Sequence, residues 1–354
     1  MLAADSKAVS PSVTDTLRTE SAYSWKQVID PIEPFLDAVS LRLAKEVQAF
    51  DRDILPYADY ALNGQGKHLR PALVALTANV LGEAGSNHVT AAVIIEMVHL
   101  ATLVHDDVMD EAEIRRGRLT LAANWGNDIA VLFGDCLFAN ALTLAAGFPT
   151  PEICRAVAMA TNTVCSGEIL QTQHQRDFQF TRDQYFRILE MKTAELFALS
   201  CDLSAFLSGA APGQRAALRQ FGLAFGTAYQ IYDDCVDLFG SEAAAGKSLG
   251  TDLAKGKLTL PVLLLCERAD ASERMRVEGL VESWRAGSMQ RLGRLLAKYD
   301  TLAASVQIMN QYLEQSRHAL HTLVPSPGRA CLLALTHYLA RQTDSLEAAP
   351  EGNL

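Results

Sequence analysis

Two groups of carboxylates stand out by residue type and spacing. An apolar run from Ala91 to Val104, broken only by Glu96, His99 and Thr102, ends in Asp106, Asp107 and Asp110. In a helix Asp106 and Asp110 lie one turn apart on the same face, with Asp107 beside them. Like charges at that spacing cost about 0.2–0.5 kcal/mol a pair, and a hard divalent cation with oxygen ligands would offset them. The pattern recurs in Gln230-Ile-Tyr-Asp-Asp-Cys-Val-Asp237, where Asp233, Asp234 and Asp237 again close an apolar helix. One Asp-Asp-x-x-Asp alone would read as a solvated helix end. Two copies, each after more than two turns of apolar helix, do not read as ordinary amphipathic surface. Metal binding by both clusters, facing each other across one cavity, is the expectation.

Cations gather beside these carboxylates. Lys67 and Arg70 lie one turn apart where a helix begins, and the helix dipole favours an anion there. Arg115 and Arg116 follow the first cluster, Lys247 and Lys257 the second, and Lys192-Thr193 falls inside an apolar helical stretch. Any one of these taken alone would be a solvated surface charge. Six carboxylates interleaved with at least six cations suggest a division of labour. Carboxylates with a divalent ion would hold one diphosphate, and arginine forks with lysine charges would hold a second without metal. Glu96-x-x-His99 matches the helical motif of di-iron carboxylate bundles, but that architecture needs a second Glu-x-x-His, which the sequence lacks. A satisfied buried histidine is the plainer reading of His99.

The elements that position these groups are helical. Apolar residues recur every three or four positions from Trp25 through Ile29, Ile32, Leu36, Val39, Leu43 and Val47. Helices are expected from Pro71 to about Leu81, over Val89 to Asp110, and over 127–147, 152–174, 182–208 and 214–239. Further helices are expected over 259–269, 274–284, 288–298, 302–322 and 328–345. Glu111 to Gly126 is a polar connection and Gly240 to Lys257 a Gly/Lys-containing loop. Strand signals are nearly absent, so the fold class is all-α, a single helical bundle over residues 25–345. Residues 1–24, rich in Ser and Thr, are expected to be a mobile extension, and 346–354 a disordered tail.

Composition bounds the function. The chain has 354 residues, 49% of them hydrophobic, and a formal charge of −10. That balance argues against nucleic-acid partners, which select a basic stripe. Seven cysteines without a Cys-x-x-Cys suit reduced thiols in a cytoplasmic protein, with Cys235 a small apolar filler. The N-terminus lacks the apolar stretch of a signal peptide. Ile129 to Phe148 is the best candidate for a membrane span, but Asp135 and Asn140 interrupt it, so a buried helix is expected.

Gly66-Lys67-x-x-Arg70-Pro71, His105-Asp-Asp-Val-x-Asp110 with Arg115-Arg116-Gly117, Lys192-Thr193, Gln230-x-x-Asp233-Asp-x-x-Asp237 and Gly256-Lys257-x-Thr259-x-Pro261 occur in that order. Together they closely resemble the polyprenyl diphosphate synthases, the head-to-tail trans-prenyltransferases, over roughly residues 25–345. The resemblance implies an all-α isoprenoid synthase fold with a deep central cavity, as a homodimer. It implies that Asp106, Asp107, Asp110, Asp233, Asp234 and Asp237 bind Mg²⁺ ions that grip an allylic diphosphate such as farnesyl diphosphate. Arg115, Lys192, Thr193, Gln230, Lys247 and Lys257 match positions lining or capping that allylic site. Lys67, Arg70, His99 and Arg116 match the isopentenyl diphosphate site. Arg341 matches a near-terminal basic residue of the family more weakly.

The reaction so implied is ionisation of the allylic C–O bond, attack by the isopentenyl double bond, and loss of a proton to the departing diphosphate. The Gly240–Lys257 loop is a candidate lid. Product length is read from Ala101 and Thr102, one to one and a half turns before Asp106 and so roughly 7–8 Å along the helix from the carboxylates. Short-chain members commonly carry a bulky aromatic there. The small pair here, with Ala139 and Ala141 on the next helix, points to a product beyond C20, unless Phe133 or Phe138 forms the floor. The alternatives are a short- or medium-chain synthase, a terpene cyclase, and a non-catalytic partner subunit. A cyclase has no use for an isopentenyl site, and intact aspartate motifs count against the subunit.

Overall fold

The computed structural model describes residues 25–62, 66, 68–240, 249–285 and 287–347. The expected N-terminal extension, Lys67, Lys247, most of the candidate lid and residues 348–354 lie outside the described residues.

The bundle is built from α1 (Glu33–Val47), α2 (Leu55–Leu62), α3 (Leu69–Leu81), α4 (Ser86–Met109), α5 (Asn127–Ala146), α6 (Pro151–Gln173), α7 (Arg182–Leu189) and α8 (Glu195–Leu207). It continues with α9 (Pro212–Phe239), α10 (Leu260–Arg268), α11 (Ala271–Glu282), α12 (Ser288–Lys298), α13 (Thr301–Leu320) and α14 (Pro327–Gln342). Among the described residues the only sheet is a hairpin pairing Ile114–Arg115 with Arg118–Leu119. The all-α expectation holds.

The differences from expectation have local causes. The first long helix is interrupted by a 3₁₀ turn at Asp30–Ile32, because Pro31 cannot donate to the preceding turn. α3 starts two residues early, at Leu69, since Pro71 falls in the first turn, where amide donors have no helical partner anyway. The polar connection after α4 hides a short helix, Leu121–Trp125, whose first amides are capped by Thr120 Oγ1 accepting from Ala123 N at 3.1 Å. Leu346, expected in the tail, is instead buried in the main core.

The helix expected over 182–208 is not uniform. Between α7 and α8, residues Glu190–Ala194 form a π turn, and Lys192 and Thr193 lie within it. Glycines hold it from two sides. A Cβ on Gly167 of α6 would sit 2.8 Å from Lys192 N, and one on Gly226 of α9 would sit 2.8 Å from Ala194 Cα. Both helices therefore press directly on the turn, and Phe197, Phe221 and Phe225 fill the core beside it.

α4 and α5 are long and apolar enough to cross a membrane by length and composition. Both pack in the bundle instead. α5 is not wholly buried as expected: Ala130, Phe133, Leu137, Ala141 and Ala145 face inward, while Val131, Leu132 and Leu142 face out.

Candidate active site

Both aspartate clusters sit at C-terminal helix ends, where free carbonyls and the helix dipole already disfavour negative charge. α4 ends with Asp110 as its C-cap, and Asp233 to Asp237 form the last turns of α9. Cations must offset that placement. Lys192 Nζ lies 3.7 Å from Asp106 Oδ2, donates to Gln171 Oε1 at 2.8 Å, and pairs with Glu168. Arg115 Nε donates to Asp107 Oδ1 at 2.7 Å. Lys257 Nζ donates to both oxygens of Asp110, at 2.8 and 2.9 Å, and Lys255 Nζ stands 3.2 Å from Oδ2.

The three carboxyls are unequally matched. Burial pushes Asp106 up to about 6; Lys192 pulls against this, and the Glu168 carboxylate adds to it. Burial also raises Asp107, against the pull of Arg115. At Asp110 burial is outweighed by Lys257 and Lys255, which hold the carboxyl below its usual range.

The second cluster is held by a relay from the π turn. Thr193 Oγ1 donates to Gln230 Oε1 at 3.1 Å, and Gln230 Nε2 donates to Asp234 Oδ1 at 2.8 Å. Tyr185 donates its phenol proton to Asp234 Oδ2 at 2.6 Å. Burial and the nearby Asp252 carboxylate push Asp234 well above the usual carboxylate range, while the hydrogen bonds from Tyr185 and Gln230 oppose them. Asp233 is half-buried beside it. Asp237 serves the chain locally, its oxygens accepting from Thr251 Oγ1 at 3.0 Å and Asp252 N at 3.3 Å. It ties down the segment that carries Asp252, Lys255 and Lys257.

One cleft is lined by Lys192, Thr193, Gln230, Asp234, Asp252 and Lys257. Lys192 and Lys257 line it while reaching Asp106 and Asp110, so the two clusters share one space. Carboxylate, amide and hydroxyl oxygens dominate, a donor set that suits a hard divalent ion rather than a soft one. Among the described residues no three acidic, histidine or cysteine side chains converge on one point; Asp107, Asp110 and Asp237 are engaged with protein donors.

A second group of cations lies beside α4. Arg70 stacks over Phe197 with Cζ 4.7 Å from the ring centre, and its Nε is buried without a hydrogen-bond partner among the described residues. Burial lowers the Arg70 pKa, with Glu96 opposing. His99 is driven well below its ordinary value by burial and then by Arg70, Arg116, Arg115 and His68. A neutral imidazole encircled by cations marks a positive potential that an anion would relieve. Gly66 leaves room for the Arg116 guanidinium, which a Cβ would meet at 2.9 Å.

Sequence reasoning missed Glu168, Gln171, Tyr185, Asp252 and Lys255. Glu168 and Gln171 share one face of α6 next to Gly167, and Tyr185 precedes Lys192 by seven residues, two helical turns on the same face. Those spacings are the signal that could have found them. Of the chain-length pair, Ala101 is fully buried against Val104, Ala130, Phe133 and Leu137. Thr102 is half-buried, its Oγ1 donating to His99 O at 2.7 Å. Phe133 is buried and Phe138 half-buried near the His105 ring. All seven cysteines are free thiols, and Cys235 is buried within the second motif.

Residues 52–297 match the family described as polyprenyl synthetase. The octaprenyl diphosphate synthase of Haemophilus influenzae is 34% identical over 281 residues, 78% of this chain and 85% of that one. Component 2 of the heptaprenyl diphosphate synthase of Bacillus subtilis is 33% identical over 309 residues, 87% of this chain and 88% of that one. A crystal structure of a polyprenyl synthase from Caulobacter crescentus, complexed with calcium and isoprenyl diphosphate, superposes with a TM-score of 0.84 at 30% identity, over 90% of this chain and 97% of that one. Two carboxylate clusters across one cleft, a separate cationic ring, and these matches across most of the chain lead to one assignment: the chain belongs to the polyprenyl synthetase family.

Proposed function

We propose that the protein condenses isopentenyl diphosphate head-to-tail with an allylic diphosphate such as farnesyl diphosphate, building an all-trans polyprenyl diphosphate beyond C20. The observation that carries this is the shared cleft, with Lys192 and Lys257 spanning from the first aspartate cluster to Asp234, beside the ring of Arg70, His99 and Arg116. The allylic diphosphate occupies the cleft with Asp106, Asp107, Asp110, Asp233, Asp234 and Asp237 around it, and Asp237 also steadies the segment behind them. Mg²⁺ bound there would neutralise diphosphate charge as the C–O bond ionises.

The protein's own groups do the rest. Lys192, Lys257 and Arg115 stand where charge on the departing diphosphate grows, and Thr193 and Gln230 orient Asp234. Lys247 joins them as a capping cation from the candidate lid. Lys67, Arg70, His99 and Arg116 hold isopentenyl diphosphate by charge-assisted hydrogen bonds. No side chain is assigned as the base; the departing diphosphate takes the proton. The lid excludes water, which would otherwise capture the cation. The relatives named as octaprenyl and heptaprenyl synthases support a long product for this chain too. The protein acts as a cytoplasmic homodimer with no nucleic-acid partner.

The test is incubation of purified protein with Mg²⁺, labelled isopentenyl diphosphate and an allylic primer, followed by product mass. Elongated chains beyond C20 are expected. A cyclised hydrocarbon, no turnover, or a product stopping at C15 or C20 would each defeat the reading.

A further inference from the structure

A second concentration of positive charge lies away from the cleft, on the two helices α11 and α12. Arg276, Arg285, Arg291, Arg294 and Lys298 line a groove of about 590 Å³, within the roughly 300–1,000 Å³ of ligand clefts. Among the described residues no carboxylate lines it. α12 explains the arrangement: Leu292 and Leu296 are buried, which turns Arg291, Arg294 and Lys298 outward at a spacing of three and four. Arg276 comes from α11 and Arg285 from the connection between the two helices.

Several arginines elsewhere hold carboxylates, as Arg115, Arg182, Arg215 and Arg219 do. The four groove arginines do not: Arg276, Arg285, Arg291 and Arg294 make no ion pair or side-chain hydrogen bond among the described residues. Lys298 pairs with Glu273, and Asp270, which caps α11, feels Arg276 and Lys298 only through space. Repulsion among four exposed guanidinium groups favours an anionic partner. Planar guanidinium forks match phosphate oxygens in particular.

We propose that Arg276, Arg285, Arg291 and Arg294 form a second anion site, which seats the phosphate headgroups of an anionic lipid bilayer. Two observations choose this occupant. The chain carries −10 overall, yet residues 271–298 hold six cations and three acids, so this segment would lead toward an anionic surface. Met275, next to Arg276 in the chain, is 65% exposed and offers an apolar contact. The inference also rests on the proposed function, because a long prenyl product is a lipid that gains from release beside a bilayer. The groove backs onto the active-site segment: a Cβ on Gly250 would lie 2.9 Å from the Trp284 ring and 3.4 Å from Met289 Sδ.

The test is co-sedimentation of the full chain, without substrates, with vesicles of phosphatidylglycerol or of phosphatidylcholine. Wild type should bind the former and not the latter, more weakly as salt rises. Each basic residue near an anionic surface contributes about fivefold in partitioning, so Arg291→Glu/Arg294→Glu should lose at least ~25-fold. Its condensation rate in detergent should be unchanged, since both side chains are exposed and neither lines the cleft. No binding by wild type, equal binding to both vesicles, or undiminished binding by the double variant overturns the proposal. So does Arg291-dependent binding of inorganic diphosphate without vesicle binding, which would assign the groove to a soluble phosphate. A short product in the condensation assay would sink the long-chain reading separately, because sedimentation uses no substrate.

Discussion

Burial raises both Asp106 and Asp234, with Glu168 adding to the first and Asp252 to the second. Asp106→Ala and Asp233→Ala should each lower kcat by about 10²–10³, the scale of losing one electrostatic stabiliser. Near-native rates at saturating Mg²⁺ would refute the assignment of these clusters. The cationic ring is separable from them. Arg70→Ala and Arg116→Ala should raise KM for isopentenyl diphosphate more than KM for the primer, because each removes charge-assisted bonds to only one diphosphate. Equal effects on both substrates would show that the sites are misassigned. The aspartates were legible because charge at the end of an apolar helix has no bland explanation when it occurs twice. Glu168 and Gln171 were not, because two polar residues three apart on a helix look like any solvated face until Lys192 is seen between them.

At the scale of elements, the π turn decides where Lys192 and Thr193 point. Nothing in Glu190-Met-Lys-Thr-Ala194 announces it: there is no Gly or Pro, and the apolar period continues on both sides. What makes room for it lies elsewhere in the chain, at Gly167 and Gly226. Gly226→Ala would place a methyl 2.8 Å from Ala194 Cα and 2.9 Å from Phe197 Cβ. Overpacking of that kind costs about 1–3 kcal/mol. A fall in melting temperature with a larger fall in kcat is expected, read by thermal denaturation beside steady-state kinetics; unchanged values for both would mean the turn tolerates displacement. The same helices bear on product length. One turn before Thr102 on α4 is Val98, which belongs to the same buried apolar cluster as Val164 and Leu199. Thr102→Phe should shorten the product and spare the first condensation. Ala101→Phe should shorten it less cleanly, because Ala101 already packs against Phe133 and Leu137. An unchanged length distribution in the Thr102 variant would remove this residue from the floor.

At the scale of the molecule, what remains unexplained by the bundle alone is the outer face of α5 and α6. Leu132 is 60% exposed, Met159 64% and Ile169 59%, with Val131 and Leu142 alongside. Exposed apolar side chains on two neighbouring helices make a candidate contact surface. A second copy of this chain is the proposed partner. The face also reaches the chemistry. His105, next to Asp106, lies with Nε2 3.0 Å from Val131 O and 3.6 Å from Asp135 Oδ1, and Gly134 is the residue that admits its ring. A partner pressing on Val131 and Leu132 would therefore steady the end of α4 that carries the first cluster. Leu132→Glu combined with Met159→Glu buries two charges in that contact, and unpaired buried charges are strongly unfavourable. Sedimentation velocity should show wild type as a dimer and the double variant as a monomer, with turnover lowered although no cleft residue has changed. A monomeric wild type, or a double variant that still dimerises, would overturn the choice of this face.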